Sequence, residues 1–247
     1  MRPELAALLA AMPDERRQQA AGRDFWRGHW HGHDVVAVLS RIGKVAAATT
    51  AVALIERFGV DRIVFTGTAG GLGAGVRVGD VVVADAFIQH DMDASPLFAR
   101  FEVPLTGRAR FDTDAALSAQ LAEAARAVLA RPAEALGADA VAEFDLHAPR
   151  VHQGLIASGD RFVATAAESA ALRQALPHAL AVEMEGAAVA QVCHDYGLPF
   201  AALRTVSDRA DDAAHVDFTR FIERVASHYS LAILSQWLGR YADFQKM

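Results

Sequence analysis

Short apolar runs alternate along this chain with longer segments of helical periodicity. Such an alternation is typical of wound α/β folds, in which helices connect parallel strands. The predicted strands are Val35–Leu39, Arg62–Phe65, Asp80–Ala84, Gly154–Ala157, Leu180–Val182 and Phe200–Val206. The predicted helices are Val45–Phe58, Thr113–Ala130, Thr165–Ala175, Glu185–Tyr196 and Phe218–Leu238.

Glycine and proline mark where several of these elements end. Gly59 and Gly197 directly follow predicted helices, where glycine readily adopts the left-handed conformation that terminates a helix. Pro199 then precedes the last predicted strand. The stretch Arg131–Pro149 is predicted to be a loop or a peripheral insertion. Because no linker rich in Gly, Pro or Ser divides the chain, we expect residues 1–247 to form a single domain.

Composition and charge narrow the class of protein. The chain has 247 residues, 53% of them hydrophobic and 22% charged, which is typical of a globule with a full core. A net charge of −6 argues against a nucleic-acid partner and against binding to an anionic membrane. The only cysteine, Cys193, excludes an internal disulfide and suits a reducing compartment. No apolar segment reaches the ~18 residues of a membrane-spanning helix, so we expect a cytoplasmic location.

Carboxylates cluster where two buried strands are predicted to end. Glu183 and Glu185 follow one apolar run, and Arg204, Ser207, Asp208 and Asp211 end the next. Ligands of open α/β sheets bind outside the carboxyl ends of the strands. In extended geometry Glu183 and Glu185 point the same way, and a carboxylate can accept bonds from two neighbouring hydroxyls. The alternative is a pair of acids that stabilise the start of the next helix, and Ser207–Asp208 could likewise cap a helix.

Four motifs carry a resemblance to a known family: TGTAGG at residues 66–71, SGDRFV at 158–163, VEMEG at 182–186 and SDRAD at 207–211. Together they make the chain similar to the nucleoside phosphorylase and nucleosidase superfamily, and especially to its 5′-methylthioadenosine/S-adenosylhomocysteine nucleosidases. The resemblance implies a three-layer α/β/α sandwich around a twisted mixed sheet. It also implies cleavage of an adenine nucleoside, no cofactor, no metal, no membrane partner and a homodimer.

The resemblance gives roles to the acidic motifs. Glu185 would clamp the ribose hydroxyls, Glu183 and Met184 would line the sugar site, and Arg204 would support the acidic cluster. Asp208, oriented by Ser207, would protonate the leaving purine. Such an acid must hold its proton near neutral pH, which burial among other acids favours.

Two further motifs would bind the nucleoside. In the glycine-rich stretch, Thr68 would stand beside the reaction centre, and Ala69 and Gly70 would line the purine pocket. The resemblance also implies that Phe162 stacks on the purine and that Val163 binds the base edge through its backbone. A phenylalanine in the core is the alternative interpretation of Phe162.

The nature of the nucleophile depends on three positions. Phosphorylases of this superfamily hold phosphate with arginines, one of them just before the glycine-rich stretch, where this chain has Phe65. Water is therefore favoured as the nucleophile, although Arg41 replaces a usual glycine and keeps phosphorolysis as an alternative. The resemblance makes Glu4 the base that activates water. The family's first strand, which would precede Met1, is missing from this sequence, so we expect a translation start upstream. If that strand is truly absent, a nucleoside-binding protein without turnover is a further alternative.

Metal binding has little support in the sequence. His29, His31 and His33 alternate, but Gly32 predicts a hairpin turn between the last two. His90, Asp91 and Asp93 lack a convincing pattern of ligands, and Cys193 is predicted to be a buried structural thiol.

Overall fold

A computed structural model describes residues 2–210 and 218–241. Its strands, in chain order, are β1 (Arg16–Ala20), β2 (Arg23–Trp30), β3 (His33–Val38), β4 (Ile63–Gly71), β5 (Val81–Gln89), β6 (Arg110–Asp112), β7 (Val151–Ser158), β8 (Ala179–Glu183) and β9 (Phe200–Asp208). Its helices are α1 (Arg2–Ala10), α2 (Lys44–Phe58), α3 (Ala115–Leu129), α4 (Pro132–Leu136), α5 (Ala138–Glu143), α6 (Ala166–Ala175), α7 (Gly186–Tyr196), α8 (Phe218–Phe221) and α9 (Ser227–Tyr241). A π-helical turn, Ile222–Ala226, joins α8 to α9.

The central sheet is mixed and closes on itself. Its strand order is β6-β5-β7-β8-β4-β9, and β9 also pairs with β5. Parallel pairing joins β4 to β9, β5 to β7 and β7 to β8. The closing pair is antiparallel and joins Val81–Val83 to Leu203–Thr205. The predicted mixed sheet is therefore confirmed, and its closure was not predicted.

Helices cover the sheet on opposite sides. On one side α2 and α7 pack together, and Ala51, Val189 and Cys193 belong to a core with Phe87 and Phe200 from the strands. On the other side α3 and α9 pack with α1, around a second core that contains Leu121 and Ile233. A smaller core lies under α6. These layers form the sandwich that the resemblance implies.

A cavity separates two strand edges. The antiparallel sheet β1-β2-β3 is distinct from the central sheet, and within the described residues β3 pairs only with β2. Strand β4 pairs along its length with β9, but with β8 only at Gly70 and Gly71. The facing edges of β3 and β4 line a cavity of about 1800 Å³, which helices α1, α2 and α9 also border.

Most predicted elements are confirmed, and the exceptions have physical reasons. Gly59 and Gly197 have φ of 63° and 65° and end α2 and α7 as predicted. Of the two alternatives for residues 131–149, the loop is wrong, because α4 and α5 form there. The strand predicted at Arg62–Phe65 is longer in the structure, because β9 pairs with the following stretch as far as Gly70 and residues 66–71 continue β4. The predicted Phe218–Leu238 helix forms as three helical pieces.

Candidate active site

Strand pairing brings the acidic motifs to one end of the sheet. Ser158 at the end of β7 is in register with Glu183 at the end of β8. Gly70 of β4 is in register with Val182 on one side and with Asp208 on the other. All predicted site residues line the same cavity, including Glu4, Thr68, Ala69, Phe162, Val163, Met184, Glu185, Arg204 and Ser207. The sequence-distant motifs therefore form one site.

The Glu183 carboxylate is a hub for buried donors. It accepts bonds from the backbone N–H groups of Glu185 and Gly186 at 3.0 and 2.9 Å, and from the Ser158 hydroxyl. Arg204 Nη2 donates to its Oε2 at 2.8 Å. These bonds hold Glu183 against the N-terminus of α7, as the helix-start interpretation predicts. Its oxygens already accept bonds from protein groups, which leaves them less capacity to bind a substrate. A direct contact between Glu183 and a substrate stays a prediction.

Arg204 is held in place from several directions. Its side chain is 1% exposed, and its guanidinium carbon lies 4.1 Å from the centre of the Phe65 ring. The Nη1 atom also donates to the carbonyl oxygens of Leu203 and Phe65, at 3.2 and 3.4 Å. Phe65 therefore supplies an aromatic face for a buried cation. Its apolar character alone did not predict this role.

Glu185 is the carboxylate that keeps capacity for a ligand. It lies in the turn between β8 and α7, and its Oε1 accepts the Gly43 N–H at 2.8 Å. Burial raises the pKa of Glu185 to about 7, with repulsion from Glu183 adding to the effect. The Gly43 N–H and Arg204 act in the opposite direction. Near neutral pH the group therefore changes charge, and its ionised form can accept bonds from hydroxyl groups.

Asp208 is oriented by its neighbours. The Ser207 hydroxyl donates to Oδ2 at 2.7 Å, and the Ala210 N–H donates to Oδ1 at 2.7 Å. The side chain of Asp208 lies close to Gly70, where an added Cβ would be 3.0 Å from Oδ1 and 2.9 Å from the Ala210 Cβ. A residue without a side chain at position 70 is thus needed for this approach. Asp211, which the sequence also placed in the cluster, lies outside the described residues.

The remaining predicted ligand contacts line the cavity. Phe162 is 43% exposed, which rules out the core interpretation of this side chain. Val163, Ala69 and Gly70 are buried, whereas Thr68 and Met184 are half-buried. Glu4 lies in the first turn of α1, is 6% exposed and faces the same cavity. The binding roles of these residues stay predictions.

Arg41 has a structural contact. It has φ of 68°, in the left-handed region that favours glycine, and its Nη2 donates to the carbonyl oxygen of Gly22 in the β1–β2 turn. The guanidinium of Arg161, at the rim of the cavity, pairs with Glu168. Three of the arginines that border the cavity are therefore engaged by protein groups: Arg41 by a carbonyl oxygen, and Arg161 and Arg204 by glutamates.

The described residues contain neither a metal-ligand cluster nor a membrane-spanning helix. In residues 2–210 and 218–241, no group of three His, Cys, Asp or Glu side chains could hold a metal ion. The turn predicted at Gly32 is present, with φ of 81°. Across the part of the chain that the structure describes, no helix is long and apolar enough to cross a membrane.

Three contacts within the site were not predicted from the sequence. Ser158 bonds both Glu183 and the Ala187 N–H, Gly43 bonds Glu185, and Phe65 stacks on Arg204. Ser158 begins the SGDRFV motif, so its strand-end position was a usable signal. Gly43 and Phe65 carried no such signal, because their contacts cross more than a hundred residues of sequence.

Fold and site together define an α/β protein with a closed mixed sheet, whose strand ends hold paired carboxylates around a small-molecule cavity. The chain belongs to the phosphorylase superfamily, whose family model matches residues 1–236. This membership confirms the resemblance read from the four motifs.

Individual relatives narrow the comparison. The chain is 35% identical to the 5′-methylthioadenosine/S-adenosylhomocysteine nucleosidase of Shewanella putrefaciens, over 95% of this chain and 94% of the relative. The crystal structure of the Neisseria meningitidis enzyme of the same name, in complex with methylthio-immucillin-A, matches with a TM-score of 0.84 and 34% identity, covering 97% of this chain and 96% of that one. A Helicobacter pylori mutant nucleosidase with 5′-methylthioadenosine in its active site matches with a TM-score of 0.82 and 30% identity, covering 97% and 95% of the two chains.

Proposed function

We propose that this protein hydrolyses the N-glycosidic bond of adenine thionucleosides, 5′-methylthioadenosine and S-adenosylhomocysteine among them, and releases adenine. The observation that carries the proposal is the geometry of Asp208. This carboxyl group is oriented by Ser207 and Ala210 and shares one cavity with the partly free carboxylate of Glu185. The relatives that are named nucleosidases support the same reaction class.

The chemistry at the purine follows from the leaving group. An adenine anion leaves poorly, so the Asp208 carboxyl group donates its proton to a ring nitrogen of the imidazole half of the base. As the bond to the anomeric carbon lengthens, positive charge develops on the ribosyl group. The carboxylate of Glu185 accepts bonds from the ribose hydroxyls and stabilises this charge electrostatically. Phe162 stacks on the base, and Met184 lies against the sugar.

The attacking water needs a base, and we propose Glu4 for this role. Water attacks the anomeric carbon, and Glu4 accepts the proton that water loses, so that the products are adenine and the free thioribose. Glu4 borders the cavity from the first turn of α1. The edges of β3 and β4 border the same cavity.

Hydrolysis is favoured over phosphorolysis because Arg204 and Arg41, which could hold phosphate, bind protein groups instead. Arg204 is bound to Glu183 and stacked on Phe65, and Arg41 is bound to the Gly22 carbonyl oxygen. A doubly charged nucleophile needs several cationic donors, and these two are already engaged by protein groups. Phosphate is therefore a poorer fit to the site than water.

The assembly and location of the chain belong to the same proposal. We propose a single domain in the cytoplasm that forms a homodimer. Support for a dimer comes from large apolar side chains that are exposed in the single chain, with 69% for Ile42, 78% for Val45 and 84% for Leu97. Light scattering on the purified protein tests the dimer, and a mass of about 26.4 kDa would contradict it.

One assay tests the function. Free adenine is measured with and without phosphate, using 5′-methylthioadenosine, S-adenosylhomocysteine and a futalosine-type nucleoside as substrates. We expect release of adenine that does not depend on phosphate. Release that requires phosphate would support the phosphorylase alternative, and tight binding without release would support a binding protein.

A further inference from the structure

A carboxylate outside the motifs bridges two parts of the site. Asp91 follows β5, and its Oδ1 accepts the Lys44 ammonium at 2.6 Å. Its Oδ2 accepts the backbone N–H of Asp160 at 2.9 Å. The side chains of Lys44 and Asp91 are only 17% and 29% exposed, so the pair is partly withdrawn from water. One carboxylate therefore joins the start of α2 to the 158–163 segment.

Other contacts reinforce this bridge. The Lys44 N–H donates to Asp160 Oδ1 at 2.7 Å, and Lys44 Nζ also donates to Gln89 Oε1 at 3.1 Å. Gln89 in turn donates to Gln191 of α7 at 2.9 Å. Burial opposes ionisation of Asp91, but the bonds from Lys44 and Asp160 outweigh it and keep the pKa of Asp91 below its usual value. The carboxylate therefore stays charged in the pH range of the assays.

The Asp91 bridge is connected to the proposed substrate-binding residues on both sides. Gly43 precedes Lys44 and donates its N–H to Glu185 at 2.8 Å. An added Cβ at Gly43 would lie 3.1 Å from Asp160 Oδ1, so the two segments are closely packed. On the other side, Phe162 lies two residues after Asp160. A shift of Lys44 or Asp160 would therefore displace the partner of Glu185 and the aromatic ring.

We propose that Asp91 is a positioning residue, which acts through Lys44 and Asp160 to fix the ribose carboxylate Glu185 and the purine-stacking Phe162 relative to each other. This inference rests on the proposed function, since it assigns Asp91 a role in the same reaction. Asp91 does not contact Glu185, so its effect is mediated by the backbone of Gly43.

The principal test is Asp91→Asn, which keeps the size of the side chain but cannot accept both bonds as a charged group. We expect kcat/KM for adenine release to fall about tenfold or more, because displacements near 1 Å at a site cost up to ~10²-fold. Asp24→Asn is the matched control: Asp24 also accepts two side-chain donors, Arg17 and Gln19, both at 3.0 Å, but on the β1–β2 hairpin. Its kcat/KM should stay within about twofold of the wild type.

The pH profile separates positioning from a direct charge effect. Glu185 faces Glu183 from β8, Arg204 from β9 and the N–H of Gly43 just before α2, and only the last of these depends on Asp91. Loss of the Gly43 bond raises the pKa of Glu185, so the acid limb of kcat/KM should move to higher pH in Asp91→Asn. If Asp91 instead acted on Glu185 through its negative charge, Asp91→Asn would lower the pKa of Glu185 and move the acid limb to lower pH. A limb that is unchanged or lower would overturn the proposal.

Two further measurements keep a folding defect apart from positioning. Lys44→Arg keeps a donor to Asp91 and should retain most of the wild-type activity. Lys44→Met removes the donor and should lose as much activity as Asp91→Asn. In a Glu185→Gln background, Asp91→Asn should cost much less than it does alone, because the two act in series. Equal costs in both backgrounds, or a lower unfolding temperature that accounts for the lost activity, would contradict the role.

Binding distinguishes failure of this inference from failure of the proposed reaction. In an Asp208→Asn background, calorimetry with 5′-methylthioadenosine measures affinity without turnover, and adding Asp91→Asn should weaken it. If the wild type releases no adenine but this weakening occurs, the reaction is wrong and the positioning role stands. If adenine is released and binding is unaffected by Asp91→Asn, the positioning role is wrong.

Discussion

Replacement of Glu183 by glutamine perturbs the hub that holds Arg204. The carboxylate accepts the Arg204 Nη2 at 2.8 Å, two backbone N–H groups at the start of α7 and the Ser158 hydroxyl. A glutamine side chain keeps one acceptor oxygen but points an NH₂ group at one of these donors. Glu183→Gln therefore removes the charge that compensates Arg204 and creates a donor facing a donor.

The expected loss of stability is large because both partners are buried. The side chains of Arg204 and Glu183 are 1% and 2% exposed. Removing one partner of a buried ion pair costs about 3–5 kcal/mol, since the other charge stays without compensation. For a chain of this size, roughly 2–4 °C of melting temperature is lost per kcal/mol. We therefore expect a fall of roughly 6–20 °C if the chain unfolds in one transition.

Calorimetry and the pH profile of adenine release form the assay. The control is Glu134→Gln, because Glu134 pairs with Arg131 on the surface at 3.1 Å, with both side chains mostly exposed. Exposed pairs contribute about 0–1 kcal/mol, so the control should melt close to the wild type. In Glu183→Gln the acid limb of kcat/KM should move to lower pH, because repulsion from Glu183 raises the pKa of Glu185.

Two results would refute this reasoning. One is a stability loss below about 1 kcal/mol, which is the range of an exposed pair. The other is an acid limb that moves to higher pH, since that would mean that Glu183 does not repel the charge of Glu185. The double variant Glu183→Gln, Arg204→Met should regain part of the lost stability, because it removes the uncompensated cation.

Three other changes have defined outcomes. Asp208→Asn should lower kcat for adenine release by about 10²–10⁴-fold with little change in substrate affinity, and an unaltered kcat would exclude Asp208 as the acid. Gly70→Ala places a methyl group 2.9 Å from the Ala210 Cβ and 3.0 Å from Asp208 Oδ1, so it should cost about 1–3 kcal/mol of stability and reduce kcat. Extending the chain before Met1 with an apolar strand of alternating valines should raise the melting temperature and kcat, whereas the same extension with a central proline should do neither. Equal effects of both extensions would contradict pairing in the β3–β4 gap.

The sequence predicted the fold best where periodicity is strong. Helices α2 and α7 each begin within one residue of the predicted start. They could be predicted because both have an apolar face and a terminating glycine. Strands β1 and β2 went unpredicted because arginines and glutamines on exposed positions hide the alternation of an edge sheet. The prediction ended strand β4 too early, because threonine and glycine favour turns on local grounds. In the structure, pairing with β9 keeps this stretch in the strand.

The site shows a similar division between local and long-range information. The roles of Ser207 and Asp208 could be predicted because neighbouring residues form the bond between them. The different environments of Glu183 and Glu185 could not, because the turn into α7 places one carboxylate on backbone donors and leaves the other beside Gly43. The Asp91 bridge joins residues from three segments of the chain, and only the folded sheet brings them together.

The two halves of the proposed reaction rest on unequal support from the fold. Asp208, Glu183 and Arg204 lie on strands that pair within the closed sheet, so their positions are fixed by long ladders of backbone bonds. Glu4 lies instead at the start of a helix that packs against α9 and borders the gap between β3 and β4. Changes near α1 should therefore affect the attack of water more than the binding of the nucleoside. An N-terminal strand in the gap would act on kcat through Glu4, while the affinity for the purine, which we propose depends on the sheet and on Phe162, would stay nearly constant.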